Sequence, residues 1–119
     1  MPTFQYSQIR ARNVITAKND LGPVLGRDGG KNVVKGIPEK IVNHGLLAAV
    51  ADSTNSPGEQ KVWGSIIKHL QDPNIALINE DASDVCELIR HISTGKDSRQ
   101  LRRITTEVME WLNFARRLI

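Results

Sequence analysis

"IRARNVITA", residues 9–17, decides how the first third of the chain is read. Ile9, Ala11, Ile15 and Ala17 share one parity while Arg10, Arg12 and Thr16 hold the other, which is the alternation of a half-buried strand. Asn13 interrupts the apolar set and reads as a bulge. A helix competes, because Ala11, Val14, Ile15 and Leu21 also fall near helical spacing. The alternation favours a strand.

The next stretch, "LGPVLGRDGGKNVVKG" (residues 21–36), reads as two short extended arms around a turn. Asp28-Gly29 is a hairpin dipeptide, since tight primed turns need the positive φ that glycine tolerates. Pro23 cannot donate to a ladder, so its arm is expected at an edge. The glycines and Lys31 also have the composition of a phosphate loop, but the spacing fails. A P-loop needs G-x-x-x-x-G-K-[ST]; here Leu25 stands where its first glycine should be, and Asn32 follows Lys31 without a hydroxyl. Gly26, Gly29 and Gly30 do not space as G-x-G-x-x-G either. The stretch is therefore expected to be a turn, with Arg27 and Lys31 available for non-catalytic phosphate contact.

After Gly36 the periodicity becomes helical. "GIPEKIVNHGLLAAVADS" places Pro38 where a first helical turn accepts proline, and its apolar positions run almost all round. Ser56, Pro57 and Glu59 form a capping box opening a second helix, whose core stripe is Val62, Trp63, Ile66, Ile67 and Leu70. A third has Val85, Leu88, Ile89 and Ile92 inward and Gly95 as its stop. The last carries Leu101, Ile104, Val108, Trp111, Leu112, Ala115 and Leu118 on one face, with Arg99, Arg102, Arg103, Glu107, Glu110, Asn113 and Arg117 on the other. The expected architecture is α+β and mostly α. An N-terminal β-hairpin-like region (residues 1–36) packs on a four-helix region (residues 37–119), together forming a single domain over residues 1–119.

Composition is that of an ordinary globular chain, 39% hydrophobic and 24% charged. No apolar run suits a membrane span, and the N-terminus lacks a secretory signal, so a cytoplasmic location with no membrane partner is expected. Cys86 is the only cysteine, which excludes an internal disulfide and a cysteine metal cage. Among the acidic residues around it, Cys86 is expected to be a buried, inert small hydrophobe. The net charge of +3 is unevenly spread: +4 over residues 1–40, −4 over 41–98 and +3 over 99–119. Basic ends thus flank an acidic middle, and they form one positive surface only if the fold joins them.

Three histidines raise acid–base or metal chemistry. His91 follows Glu87 by four residues, so the two share a helix face and could act in RNA cleavage; an ordinary ion pair is the plainer reading. His69, beside Lys68, has no carboxylate four residues before it as His91 does. No paired Cys/His spacing or H-E-x-x-H is present, so neither a metal nor a cofactor is expected.

The strongest positive feature is at the start of the last helix. Arg99, Arg102 and Arg103 crowd its first turns, where the helix dipole opposes cations, so a compensating anion is expected. That anion is either an external phosphate or the chain's own Asp84 and Glu87. Met109 and Phe114 flank the polar face of this helix and are candidates for a partner contact or a homodimer contact. The reading that follows is a small non-catalytic accessory protein binding nucleic acid or a nucleoprotein through Arg10, Arg12, Arg27, Lys31, Arg99, Arg102 and Arg103. An interaction module for an acidic protein surface is the alternative, and a small RNA-cleaving enzyme built on Glu87 and His91 is the third. Aromatic residues are only 4% of the chain, which weakens base stacking on rings but leaves backbone contact untouched.

Overall fold

The computed structural model describes residues 6–20, 28–55, 57–78, 84–93 and 98–118. These form six α-helices: α1 (Tyr6–Asp20), α2 (Asp28–His44), α3 (Leu46–Asp52), α4 (Pro57–Leu70), α5 (Val85–Ser93) and α6 (Ser98–Leu118). A single 3-10 turn, Ser53–Asn55, follows α3. There is no strand among the described residues, so the expected α+β fold with a β-hairpin-like N-terminal region is wrong.

Burial explains the error in α1. Ile9, Val14 and Ala17 are buried, whereas Ile15, expected inward on a strand, is half exposed. The inward face of the helix also carries Arg10 and Asn13, whose side chains bond to distant elements. A face that mixes apolar and polar residues leaves little helical periodicity for sequence pattern to detect.

The Asp28-Gly29 turn is overturned in the same way, because both residues lie in the first turn of α2. Each glycine costs a helix about 1 kcal/mol relative to alanine. Pro38, expected in a first turn, lies inside the helix and removes a ladder bond at about 3 kcal/mol. Against these stand Val34, Ile37 and Ile41, all buried on one face. Each is worth roughly 1.5–3 kcal/mol, enough to carry the helix through. The arm containing Pro23 lies outside the described residues, as do Ser56 and Gly95.

The helix expected to run through "NHGLLAAV" instead breaks at Gly45, whose φ of +88° suits only glycine. Gly45 N–H closes α2 by donating to the Ile41 carbonyl at 2.8 Å. Its own carbonyl accepts from Ala49 N–H at 3.1 Å, opening α3.

Most positions of the stripes expected for the later helices are buried, but Ile89 and Leu101 are only partly so, Leu118 is exposed, and Glu107, expected on the polar face, is buried. Val62, Trp63, Ile66, Ile67 and Leu70 of α4 meet Ile104, Val108, Trp111, Leu112 and Ala115 of α6 in one core that also takes in Val14, Val34, Ile37 and Leu88. Helix α6 packs on α1, α2 and α4, and α3 links α2 to α5. Arg10 bonds Glu107 and Lys18 reaches the Leu118 carbonyl, so α1 and α6 run side by side in the same direction. This pairing brings the N-terminal helix against the C-terminal one.

Candidate nucleic-acid interface

Three helices and one turn build a polar seam between α1, α4 and α6. Helix α1 supplies Arg10, Arg12 and Asn13; α4 supplies His69; Asp72 comes from the turn after α4, and Glu107 from α6. Arg10 donates to Glu107 from Nε to Oε2 (2.7 Å) and from Nη2 to Oε1 (2.8 Å), a fork-to-fork pair. His69, fully buried, places Nε2 at 2.8 Å from Glu107 Oε2. Asn13 Nδ2 donates to His69 Nδ1 (2.8 Å) and to Asp72 Oδ2 (3.0 Å). Turning the Asn13 amide over would set its carbonyl against the Asp72 carboxylate, so Asp72 orients Asn13. Asn13 in turn makes His69 Nδ1 an acceptor, which leaves the Nε2 proton for Glu107.

The carboxylates respond accordingly. Burial alone would raise the Glu107 carboxyl, but hydrogen bonds from Arg10 and His69, with the Arg10 charge, outweigh it and hold the group at about 2. For Asp72 burial again acts upward, and the bonds from Asn13, Asn74 N–H and Arg12 carry the net shift downward. Both carboxylates are therefore ionised at neutral pH, and each has an arginine beside it.

The turn at Asp72 shapes the surface above the seam. Asp72 Oδ1 accepts from Asn74 N–H (2.9 Å), its carbonyl accepts from Ile75 and Ala76 N–H, and Leu77 N–H returns to the Leu70 carbonyl (3.0 Å). This folds Ile75 and Leu77 back beside α6. The result is a groove of about 290 Å³ lined by Arg10, Ile75, Leu77, Arg102, Arg103 and Thr106, with Glu107 at its base.

The sequence-derived site residues distribute unevenly around this groove. Arg10, Arg102 and Arg103 come together there. Arg12 is exposed and paired with Asp72 at 3.2 Å. Arg99 is exposed in the first turn of α6, away from the groove lining. Arg27 lies outside the described residues; Lys31 is in the opening turn of α2, with its side chain outside them. Among the described residues, Arg99, Arg102 and Arg103 form no ion pair, so Asp84 and Glu87 do not compensate them. Asp84 instead caps α5 by accepting from Glu87 N–H at 2.9 Å. Glu87 lies 3.7 Å from Arg90 in an i,i+3 pair, and His91 is partly buried. Cys86, expected to be buried, is exposed. Met109 and Phe114 are half-buried against the core.

Sequence pattern does not mark Glu107 or His69 as site residues. Periodicity puts Glu107 on the polar face of the last helix, yet Ile104 three before it and Trp111 four after it set it at the edge of the buried stripe. That flanking was the available signal. His69 needed a carboxylate thirty-eight residues away, which no local spacing shows.

Residues 26–119 match the family model for the CRISPR-associated protein (Cas_Cmr5). The chain belongs to the Cas_Cmr5 family. As a Cas_Cmr5 member it is a CRISPR-associated subunit, in keeping with an accessory role in a nucleic-acid complex. The match takes in His69, Asp72, Arg102, Arg103 and Glu107, while Arg10, Arg12 and Asn13 of α1 precede it. No curated protein and no solved structure matches the chain. No described helix is long and apolar enough to cross a membrane, and no cluster of three metal-binding side chains occurs among the described residues.

Proposed function

We propose that this chain is a non-catalytic subunit of a CRISPR ribonucleoprotein and touches the RNA backbone through Arg99, Arg102 and Arg103 of α6. The observation that carries this reading is charge without compensation. The three guanidinium groups are exposed in the first turns of a helix, where the dipole opposes them, and have no carboxylate among the described residues. Arg10 and Arg12, by contrast, are already paired with Glu107 and Asp72 and add less free charge. Trp63 and Trp111 are fully buried, which leaves them unavailable for stacking and favours phosphate contact.

The test is salt-titrated binding of a single-stranded RNA to the parent and to Arg99→Ala/Arg102→Ala/Arg103→Ala. Three lost phosphate contacts should flatten the log–log salt slope by about two, at roughly 0.7 per contact on a single strand. Thermal melts of both proteins check that the variant stays folded. A parent that binds no RNA at any salt removes this reading and leaves the acidic protein surface as the target. Val42 and Leu47, exposed on either side of the Gly45 break, favour that second reading, since large apolar side chains held in water suit a protein neighbour.

A further inference from the structure

The groove between α1, α6 and the 75–77 turn has two kinds of lining that backbone contact alone does not use. One wall is apolar, made by Ile75 and Leu77, both half-buried and presented by the bonds that fold the turn back. The other lining is a cationic and hydroxylic rim of exposed side chains, Arg102, Arg103 and Thr106 of α6. Glu107 at the base is saturated by Arg10 and His69, so it does not neutralise the arginines above it. A backbone phosphate needs only the rim. An apolar wall beside two arginines suits a planar, weakly hydrated ring joined to a phosphate.

We propose that the groove seats one nucleoside monophosphate unit, with the base against Ile75 and Leu77 and the phosphate on Arg102 and Arg103. A guanidinium plane can cover a base as an aromatic ring does, so the site needs no exposed tryptophan. The volume of about 290 Å³ is at the small end of ligand pockets, which limits the occupant to one such unit. The apolar wall presents no donor or acceptor pattern, so the seat accepts any base. Thr106 is positioned to bond a ribose hydroxyl or a phosphate oxygen from the rim. This inference rests on the RNA-contacting reading above, but it depends on the base where that reading depends on phosphate.

The experiment compares an RNA strand with one in which ribose–phosphate units lack their bases, each titrated against the parent chain and against Ile75→Gln. A third arm competes AMP against the intact strand. The parent should lose roughly tenfold in affinity on removal of the bases, the value of about one stacking contact, with the salt slope unchanged. Ile75→Gln should bind the intact strand as weakly as the parent binds the abasic one, and a thermal melt shows whether it is folded. Should it unfold, Thr106→Val, on the exposed rim, supplies the second variant, with an expected loss of severalfold for the intact strand. Competition by AMP assigns the seat to a free nucleotide as well as to RNA; base-dependent RNA binding without AMP competition assigns it to the strand. Equal affinity for intact and abasic strands overturns the base seat while leaving the backbone reading in place. A parent that binds neither RNA nor AMP overturns both.

Discussion

At the residue scale, Glu107 is, with Glu59, one of two carboxylates buried among the described residues. Its carboxylate serves a bidentate guanidinium and a buried imidazole at once, so it acts as the hub between α1, α4 and α6. The depression of its pKa from 4.5 to about 2 makes folding sensitive to acid. A carboxyl that is more acidic when folded contributes its full stability above pH 4.5, and that contribution is lost as pH falls toward 2. The loss amounts to about 3 kcal/mol, and Asp72 adds to it in the same direction. Chemical denaturation followed from neutral pH downward should therefore show stability falling below pH 4.5. Glu107→Gln should be about 3 kcal/mol less stable than the parent at neutral pH, because Arg10 and His69 then lack their ionised acceptor, and its acid limb should be shallower. An acid limb of unchanged steepness in the variant would place the titrating group elsewhere.

At the element scale, two glycines do opposite work. Gly45 stands at φ +88° between α2 and α3, where an added Cβ meets nothing within 4 Å. Its cost on substitution is therefore conformational rather than steric: Gly45→Ala should destabilise the protein by about 1–2 kcal/mol. Gly64 has the same open surroundings but lies inside α4 with ordinary backbone angles. Gly64→Ala should stabilise by about 0.5–1 kcal/mol through helix propensity. Urea midpoints of the two variants should move to opposite sides of the parent. Two shifts of the same sign would mean that α2 and α3 do not need the break at Gly45.

At the scale of the whole molecule, the basic ends of the sequence meet because α1 lies along α6, but the meeting does not simply add their charge. Arg10 and Arg12 are drawn into the seam by Glu107 and Asp72, whereas Arg99, Arg102 and Arg103 of α6 have no carboxylate partner among the described residues. What holds this arrangement is the α4–α6 core, in which Trp63 and Leu112 are fully buried. Trp63→Ala or Leu112→Ala should each cost about 2–5 kcal/mol by denaturant titration. A loss below about 1 kcal/mol at both positions would mean that the core lies elsewhere. Because α1 and the groove rest on that core, either substitution should also weaken the proposed RNA contact without changing its salt slope.

The apolar faces of α4 and α6 are legible in the local pattern, since Val62 to Leu70 and Ile104 to Ala115 repeat at helical spacing and need no distant information. The uneven charge that points to a nucleic-acid-associated accessory protein is legible in the sequence as well, and family membership agrees at that level. Tertiary structure alone decided that residues 9–17 are helical. Arg10 and Asn13 are turned inward there only because Glu107, His69 and Asp72 wait for them, fifty-six to ninety-seven residues further on. A buried polar group is affordable once its partner is in place, and a local pattern of apolar residues cannot register a partner so far along the chain. The same holds for the groove, whose apolar wall comes from one turn and whose cations come from another helix.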